Sequence, residues 1–549
     1  MEIKESLVRS IEQSIKDHWD LPALSDYQGV TYQYKDVARR IVKMHIMFEG
    51  CGIKRGDKIA ICGRNSANWG TLFMSVVTYG AVAVPILHDF KPDNIHNIVN
   101  HSDSKLLLVG DVVWENLNEQ RMPNLTAIIR ITDFAVLYSK KRSIIALRDR
   151  LNEEFGKKFP KHFRPEHVSF FTENPDDLML ISYTSGTTGF SKGVMISYAN
   201  VHSNVEFAFE VLPELLVGDK VVSMLPTAHM YGLMFEFIYE FLNGCHVHFL
   251  TRIPSPKIIL NAFAEIKPRL IIAVPLIIEK IYRNNILPII SKPTMKALLA
   301  LPVIDKTICN QILKKLNDTF GDNFIELIIG GAGLNQAVER FFRKIGFAYT
   351  VGYGMTECAP IITYSDRRET ALYSCGKAVI NMEIRIDSAD QEHHVGEIQV
   401  RGKNVMMGYY KNDEATRNIF TPDGWMRTGD LGVIDKDGYV YIKGRSKNLI
   451  LGASGQNIYP EEIEDKINNM PYVIESIVVD NHGKLVALVY PDFPKLEEDQ
   501  KIAATEMEAM RVEINNLLPV YSQIVEVRIY PEEFEKTPKR SIKRFMYQV

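Results

Sequence analysis

An α/β fold with largely parallel sheets is predicted by three features of the chain. Short apolar runs bounded by turn residues, KIAICG, AVAVPIL, KLLLVG, LMLISYT, VVSMLP, CHVHFL and LIIAVP, alternate with segments of helical periodicity. Strands that alternate with helices in this way build parallel sheets through crossovers. The chain has 549 residues, beyond the roughly 250 to 300 at which a single hydrophobic core stops growing, so at least two domains are expected. Past IFTPDGWMRTGDLG the texture changes to short strands and turns, with Asp437-Gly438 in VIDKDGYVYIKG as a hairpin signal. Beyond Arg445 the chain reads as a compact α+β unit: helix EEIEDKINNM, strands ESIVVD and LVALVY, a further helix, then EVRIYPEEF. The predicted division is 1–446 and 447–549, with no tandem repeat, low-complexity tract or long linker.

From the N-terminus, MEIKESLV is charged and has no apolar h-region behind it, which argues against a secretory signal and makes the cytoplasm the expected location. The stretch from Asn65 to His88 carries no formal charge and has the length of a membrane span. Asn65, Asn68, Gly70, Thr71, Thr78, Gly80 and Pro85 divide it instead into a helix followed by the buried strand AVAVPIL. The six cysteines (Cys51, Cys62, Cys245, Cys309, Cys358 and Cys375) are scattered without a C-x-x-C pair, as expected of reduced cytosolic thiols. A formal net charge of -3 provides no basic field, so nucleic acid is excluded as the main partner.

The richest segment chemically is YTSGTTGFSKG, residues 183 to 193, between the strand LMLISYT and the helix-like run NVEFAFEVL. A Gly-rich turn can aim successive N–H groups at an anion, with hydroxyls and a lysine as further donors. It is not a Walker loop: Ser191 stands where the second glycine belongs, and Gly193 rather than Ser/Thr follows Lys192. By itself the turn is consistent with phosphate binding or with a plain flexible connection.

YTSGTTGFSKGV resembles the phosphate loop of the adenylate-forming superfamily of acyl-CoA synthetases, luciferases and peptide-synthetase adenylation domains. LPTAHMYG (225 to 232), GGAG (330 to 333), GYGMTE (352 to 357), GWMRTGDLG (424 to 432), YIKGRSKNLI (441 to 450) and SGQNIYPEEIE (454 to 464) resemble its successive motifs in order. The resemblance implies a large N-terminal domain of α/β layers with parallel sheets plus a small β-rich subdomain, and a small, mobile α+β C-terminal domain. It implies ATP, Mg²⁺ and coenzyme A as cofactors, with a carboxylate attacking the α-phosphate. On the matching positions, Thr184, Ser185, Gly186, Thr187, Thr188 and Lys192 would hold the β- and γ-phosphates. Gly331, Ala332 and Gly333 would lie against adenine, with Tyr353 stacking on it beside Gly354 and Met355, and Ile442 under the purine. Thr356 would approach the α-phosphate, and Glu357 with Thr184 the magnesium. Asp430 would accept both ribose hydroxyls, for which two carboxylate oxygens suit a vicinal diol, and Arg445 would reach ribose or phosphate. His229 matches an aromatic position lining the acyl site; Lys447 matches the hinge, and Gly455 the face that enters for the thiol step. No carrier-protein domain follows before Val549, so free coenzyme A is the expected thiol.

Two departures matter. Met230 stands where amino-acid-activating relatives place an aspartate for the ammonium, which disfavours an amino acid. The tail reads FEKTPKRSIKRF, and alignment on TP and Lys543-Arg544 puts Ser541 where the family has its catalytic lysine. Lys543 is the expected substitute. The alternative is that Lys536, Lys539, Arg540, Lys543 and Arg544 form a solvated basic tail or one that makes peripheral contact with anionic lipid at the inner membrane face. The insertion from about Arg283 to Phe324 resembles that of long-chain fatty acyl-CoA synthetases, so a long-chain fatty acid is the expected substrate. A medium-chain, aryl or carrier-loading ligase, and a homologue that binds nucleotide without reacting, are the alternatives.

Overall fold

The computed structural model describes residues 6–184, 192–252, 254–299, 301–452, 456–536 and 542–547. All seven apolar runs named above are strands within two large sheets. The first is eight-stranded, in the order Gly408–Tyr409, Lys192–Ser197, Leu178–Thr184, Val82–Ile86, Lys58–Cys62, Leu106–Val109, Ala127–Arg130 and Val136–Ser139. Its centre is parallel and its margins antiparallel. The second is seven-stranded and parallel except for the edge hairpin Pro22–Asp26 with Thr31–Gln33.

Strand alternation explains why the runs are apolar throughout. Ile59 and Ile61 face one cluster and Ala60 and Cys62 the other, because successive side chains leave opposite faces. The larger cluster joins both sheets through the helices Tyr34–Gly50, Ala67–Tyr79 and Tyr198–Val211; the smaller one lies under Pro92–His101. The uncharged stretch from Asn65 is, as expected, a helix capped by Ser66 followed by the buried strand Val82–Ile86. Among the described residues no helix is long and apolar enough to cross a membrane.

The strands Met382–Asp387, Gly396–Gly402, Met426–Ile434 and Val440–Arg445 form an antiparallel sheet, with the predicted turn at Asp437-Gly438 and Gly438 at φ +86°. Further on, Val473–Asn481, Lys484–Pro491 and Ile524–Ile529 form a three-stranded sheet that shares an apolar cluster with Pro460–Asn468 and Ala503–Asn515. The helix-rich insertion is present as Pro275–Asn285, Leu287–Ile290, Pro293–Leu299 and Pro302–Thr319. Arg283 donates to Val473 O at 3.0 Å and Asn468 O at 3.2 Å, tying this insertion to the C-terminal sheet and helix.

The core contains a carboxyl with a measurable cost. Glu240 is 0% exposed, and neither carboxylate oxygen has a hydrogen-bond partner among the described residues. Burial pushes its pKa from 4.5 to about 8. The folded state therefore retains a proton that the unfolded chain has released, and stability falls as pH rises between about 4.5 and 8. Glu240→Gln removes that dependence: its melting temperature is expected to exceed that of the parent at pH 9 and to match it near pH 5. An equal shift at both pH values would sink this account.

Candidate active site

The strand Leu178–Thr184 pairs antiparallel with Lys192–Ser197, placing Thr184 opposite Lys192. The helix-like run NVEFAFEVL lies in the helix Tyr198–Val211, which the Ser197 hydroxyl caps, and the strand Lys192–Ser197 precedes it. Ser185, Gly186, Thr187 and Thr188 lie outside the described residues, as do Gly455 and Ser541.

Thr184 opens onto a cleft of about 2040 Å³ that also collects His229, Gly331, Ala332, Gly333, Tyr353, Gly354, Met355, Thr356, Glu357, Asp430, Ile442, Arg445, Lys447 and Lys543. These residues come from both large sheets, the antiparallel sheet and the tail, so the fold brings together nearly every described residue that the motifs nominated. Lys192 is exposed beside it, with its ammonium 4.8 Å from the ring centre of Tyr409.

Asp430, Tyr353 and Arg445 form one bonded group on the cleft lining. Asp430 Oδ2 accepts a hydrogen bond from the Tyr353 hydroxyl at 2.6 Å, and its Oδ1 lies 2.7 Å from Arg445 Nε. Asp430 and Arg445 are register partners across one hairpin, which explains the reach. Burial raises the Asp430 carboxyl while Arg445 and the Tyr353 hydroxyl oppose that rise, holding a buried charge that would otherwise be neutralised. Tyr353, assigned from the motif to adenine stacking, thus has a second task for its hydroxyl. Gly354 is required at its position: a Cβ there would stand 2.2 Å from Pro360 O. Gly333 has open space beside it and Gly331 sits at φ +87°, so the GGAG backbone is approachable from the cleft.

Thr356 and Glu357 lie on a 3-10 turn, Thr356–Cys358. Asn204 anchors the segment by donating to Cys358 O at 3.4 Å and accepting from Ile361 N at 3.1 Å, and Asn404 donates to Ile361 O at 3.0 Å. Glu357 Oε1 accepts from the Tyr409 hydroxyl at 3.0 Å. Among the described residues no group of three or more His, Cys, Asp or Glu is placed to hold a metal ion. One carboxylate beside threonine hydroxyls fits magnesium, which takes few protein ligands and completes its shell with phosphate oxygens and water.

His229, also on the cleft lining, is the N-cap residue of the short helix Met230–Leu233, and its backbone N–H donates to Pro226 O at 2.9 Å. Asn65 braces that loop: its Nδ2 donates to Leu225 O at 2.6 Å and its Oδ1 accepts from Thr227 N at 2.9 Å. Buried Glu236 holds the preceding residues, accepting from Met224 N at 3.0 Å and Leu225 N at 2.8 Å. Leu250, Ile259, Val274, Ile277 and Met230 add apolar side chains to the cleft lining.

Among the described residues of the tail, Lys536 pairs with Glu475 at 2.9 Å, Lys543 with Glu535 at 2.8 Å, and Arg544 with Glu464, whose carboxyl burial pushes up to about 7. Glu475 lies on the C-terminal sheet and Glu464 on the helix Pro460–Asn468, whereas Glu535 belongs to the tail itself and its pair with Lys543 is exposed. Half-buried Lys447 has its ammonium pKa lowered, mainly by desolvation and secondarily by Arg445. Tyr409, Asn204, Asn65 and Glu236 were not identified as functional from sequence. The hydrogen bonds by which they hold the segments of the cleft span 11 to 162 residues, and no local pattern marks such a contact.

The cleft gathers the buried Asp430 carboxylate with Arg445 and Tyr353, the Glu357 carboxylate and a set of apolar side chains in a fold of two large sheets. The chain belongs to the AMP-binding enzyme family, whose profile matches residues 11–410. It is similar to the long-chain-fatty-acid–CoA ligase FadD15 of Mycobacterium bovis, 27% identical over 471 residues, covering 82% of this chain and 75% of that one. Long chain acyl-CoA synthetase 6, peroxisomal, of Arabidopsis thaliana is 28% identical over 508 residues, covering 85% of this chain and 69% of that one. Among solved structures, ATP-bound MatB from Rhodopseudomonas palustris superposes with a TM-score of 0.78 at 22% identity, covering 99% of this chain and 98% of that one.

Proposed function

We propose that the protein joins a fatty acid, long-chain by preference, to coenzyme A in two steps, with an acyl-adenylate as intermediate and pyrophosphate and AMP as products. The observation that carries this reading is the shared cleft, on whose lining Asp430, Arg445 and Tyr353 stand with Glu357 and with the apolar side chains. Asp430 and Arg445 orient the ribose, and the GGAG backbone and Tyr353 bound the base. Thr184, Thr356 and Lys192 direct donors at the phosphates. Magnesium held by Glu357 and the nucleotide would supply charge neutralisation, on which nucleotidyl transfer chiefly depends. Lys543 brings the remaining positive charge to the attacking carboxylate.

Substrate preference follows from burial, at about 0.8 kcal/mol per methylene removed from water. Met230 leaves no carboxylate at the position where amino-acid-activating relatives have one, which favours a plain acyl chain. The long-chain ligases of M. bovis and A. thaliana point the same way. We place the domain boundary near Lys447 and assign the 447–549 unit a rotation after adenylation that admits coenzyme A. The second reading, a homologue that binds nucleotide without reacting, is favoured by Ser541 alone. Carboxylate-dependent ATP–pyrophosphate exchange, run from acetate to stearate with benzoate and several amino acids, separates the readings. Exchange rising toward long saturated acids is expected; exchange peaking at benzoate or short acids overturns the chain-length assignment, and ATP binding without exchange establishes the second reading.

A further inference from the structure

Lys192 and Glu357 sit on different elements, one at the start of an edge-side strand and the other on a 3-10 turn. A single buried side chain touches both. Tyr409, 4% exposed, donates its hydroxyl hydrogen to Glu357 Oε1 at 3.0 Å, and its ring centre lies 4.8 Å from the Lys192 ammonium. Edge and face are thus used separately: the O–H contacts the anion and the π-face the cation, as the ring quadrupole favours.

The tyrosine is itself held on every side. It belongs to the two-residue strand Gly408–Tyr409, in register with Met195 and Val194 one turn of pleat beyond Lys192. Its N–H donates to Thr416 Oγ1 at 2.9 Å. Gly408, at φ +135°, allows Thr416 to close in: a Cβ there would meet Thr416 Cγ2 at 2.7 Å. On one side Met406 N donates to Glu357 O at 2.8 Å, and on the other Tyr410 N donates to Gly193 O at 2.8 Å. The short segment 406–410 therefore stitches the metal-side turn to the phosphate-side strand, with Tyr409 at its middle.

We propose that Tyr409 is a positioning residue that couples the two halves of the triphosphate site, fixing the Glu357 carboxylate through its hydroxyl and seating Lys192 on its ring. The proposal rests on the ATP-dependent reading above. A hydrogen bond to a carboxylate restricts the orientations in which that group can meet a cation, and a ring beneath an ammonium restricts a long, flexible side chain that otherwise loses rotamer freedom on binding. One residue performing both tasks predicts separable defects.

The test is calorimetric titration of the full-length protein with ATP, with and without Mg²⁺, on Tyr409→Phe and Tyr409→Leu. Tyr409→Phe keeps the ring and loses the hydroxyl. It is expected to weaken ATP binding roughly tenfold in Mg²⁺, to leave Mg²⁺-free binding unchanged, and to raise KM for ATP while KM for the acid stays constant. Tyr409→Leu also removes the lysine's seat, and is expected to weaken Mg²⁺-free binding about fivefold as well. Unchanged binding by Tyr409→Phe in Mg²⁺, or an equal loss with and without Mg²⁺, overturns the proposal while the ATP-dependent reading stands. Parent protein that binds no ATP overturns that reading and the proposal together. A melting temperature for Tyr409→Phe matching the parent's shows that the fold is retained, and this variant decides the question even if the leucine variant does not fold.

Discussion

Asp430→Ala is expected to weaken ATP binding about 100-fold and to reduce pyrophosphate exchange at least as much. The carboxylate is 3% exposed and bonded to both Tyr353 and Arg445. On the reading proposed above, the carboxylate accepts hydrogen bonds from the ribose, and hydrogen bonds to a charged group are worth about 1.5 to 3 kcal/mol each; each 1.4 kcal/mol is tenfold in affinity. Asp430→Asn retains one acceptor for the Tyr353 hydroxyl and loses the charge facing Arg445, so it should fall between the two. Calorimetric titration with ATP, alongside a thermal melt to confirm folding, measures all three proteins. ATP affinity in the alanine variant within twofold of the parent would remove Asp430 from the nucleotide site.

Lys543→Ala is expected to slow adenylate formation by a factor of 100 or more, the range found when one preorganised charge-stabilising donor is removed. Thioester formation from supplied acyl-adenylate should be spared. Lys543 lies on the wall of the cleft with Glu535 as its partner at 2.8 Å. To act, its ammonium must exchange that exposed carboxylate for the substrate's, a modest demand because exposed pairs contribute little. Glu535→Gln should therefore leave adenylation intact or raise it. Introducing Ser541→Lys into the Lys543→Ala protein should restore exchange if position 541 still reaches the reacting carboxylate. Both half-reactions surviving in Lys543→Ala would show that Lys543 is not the catalytic lysine, and quench-flow separation of the two steps makes the distinction.

The legibility of the site followed the range of the interactions. Asp430 and Arg445 were readable because they belong to consecutive motifs on one hairpin, where register alone brings them together. Thr356, Glu357 and the GGAG glycines were readable for the same reason: each sits in a short motif whose backbone geometry is local. The helix Tyr198–Val211 was readable but the strand Lys192–Ser197 before it was not, because KGVMIS is a short run that periodicity does not separate from the helix behind it. Two of the tail's acidic partners could not be read from sequence because they lie far off along the chain: Glu464 precedes Arg544 by 80 residues, and Glu475 pairs with Lys536.

Taken alone, the chain determined its class: strands alternating with helices, a Gly-rich turn, and ordered motifs resembling those of the adenylate-forming superfamily. Those properties are encoded within a few residues at a time, by periodicity and turn chemistry. Only the tertiary structure decided that Tyr409 joins Glu357 to Lys192, that Asp430 has both oxygens engaged, and that Lys543 faces the cleft across from them. The physical reason is the same throughout: the strength of a charge or donor is set by burial and by partners, and packing brings those partners from distant parts of the chain.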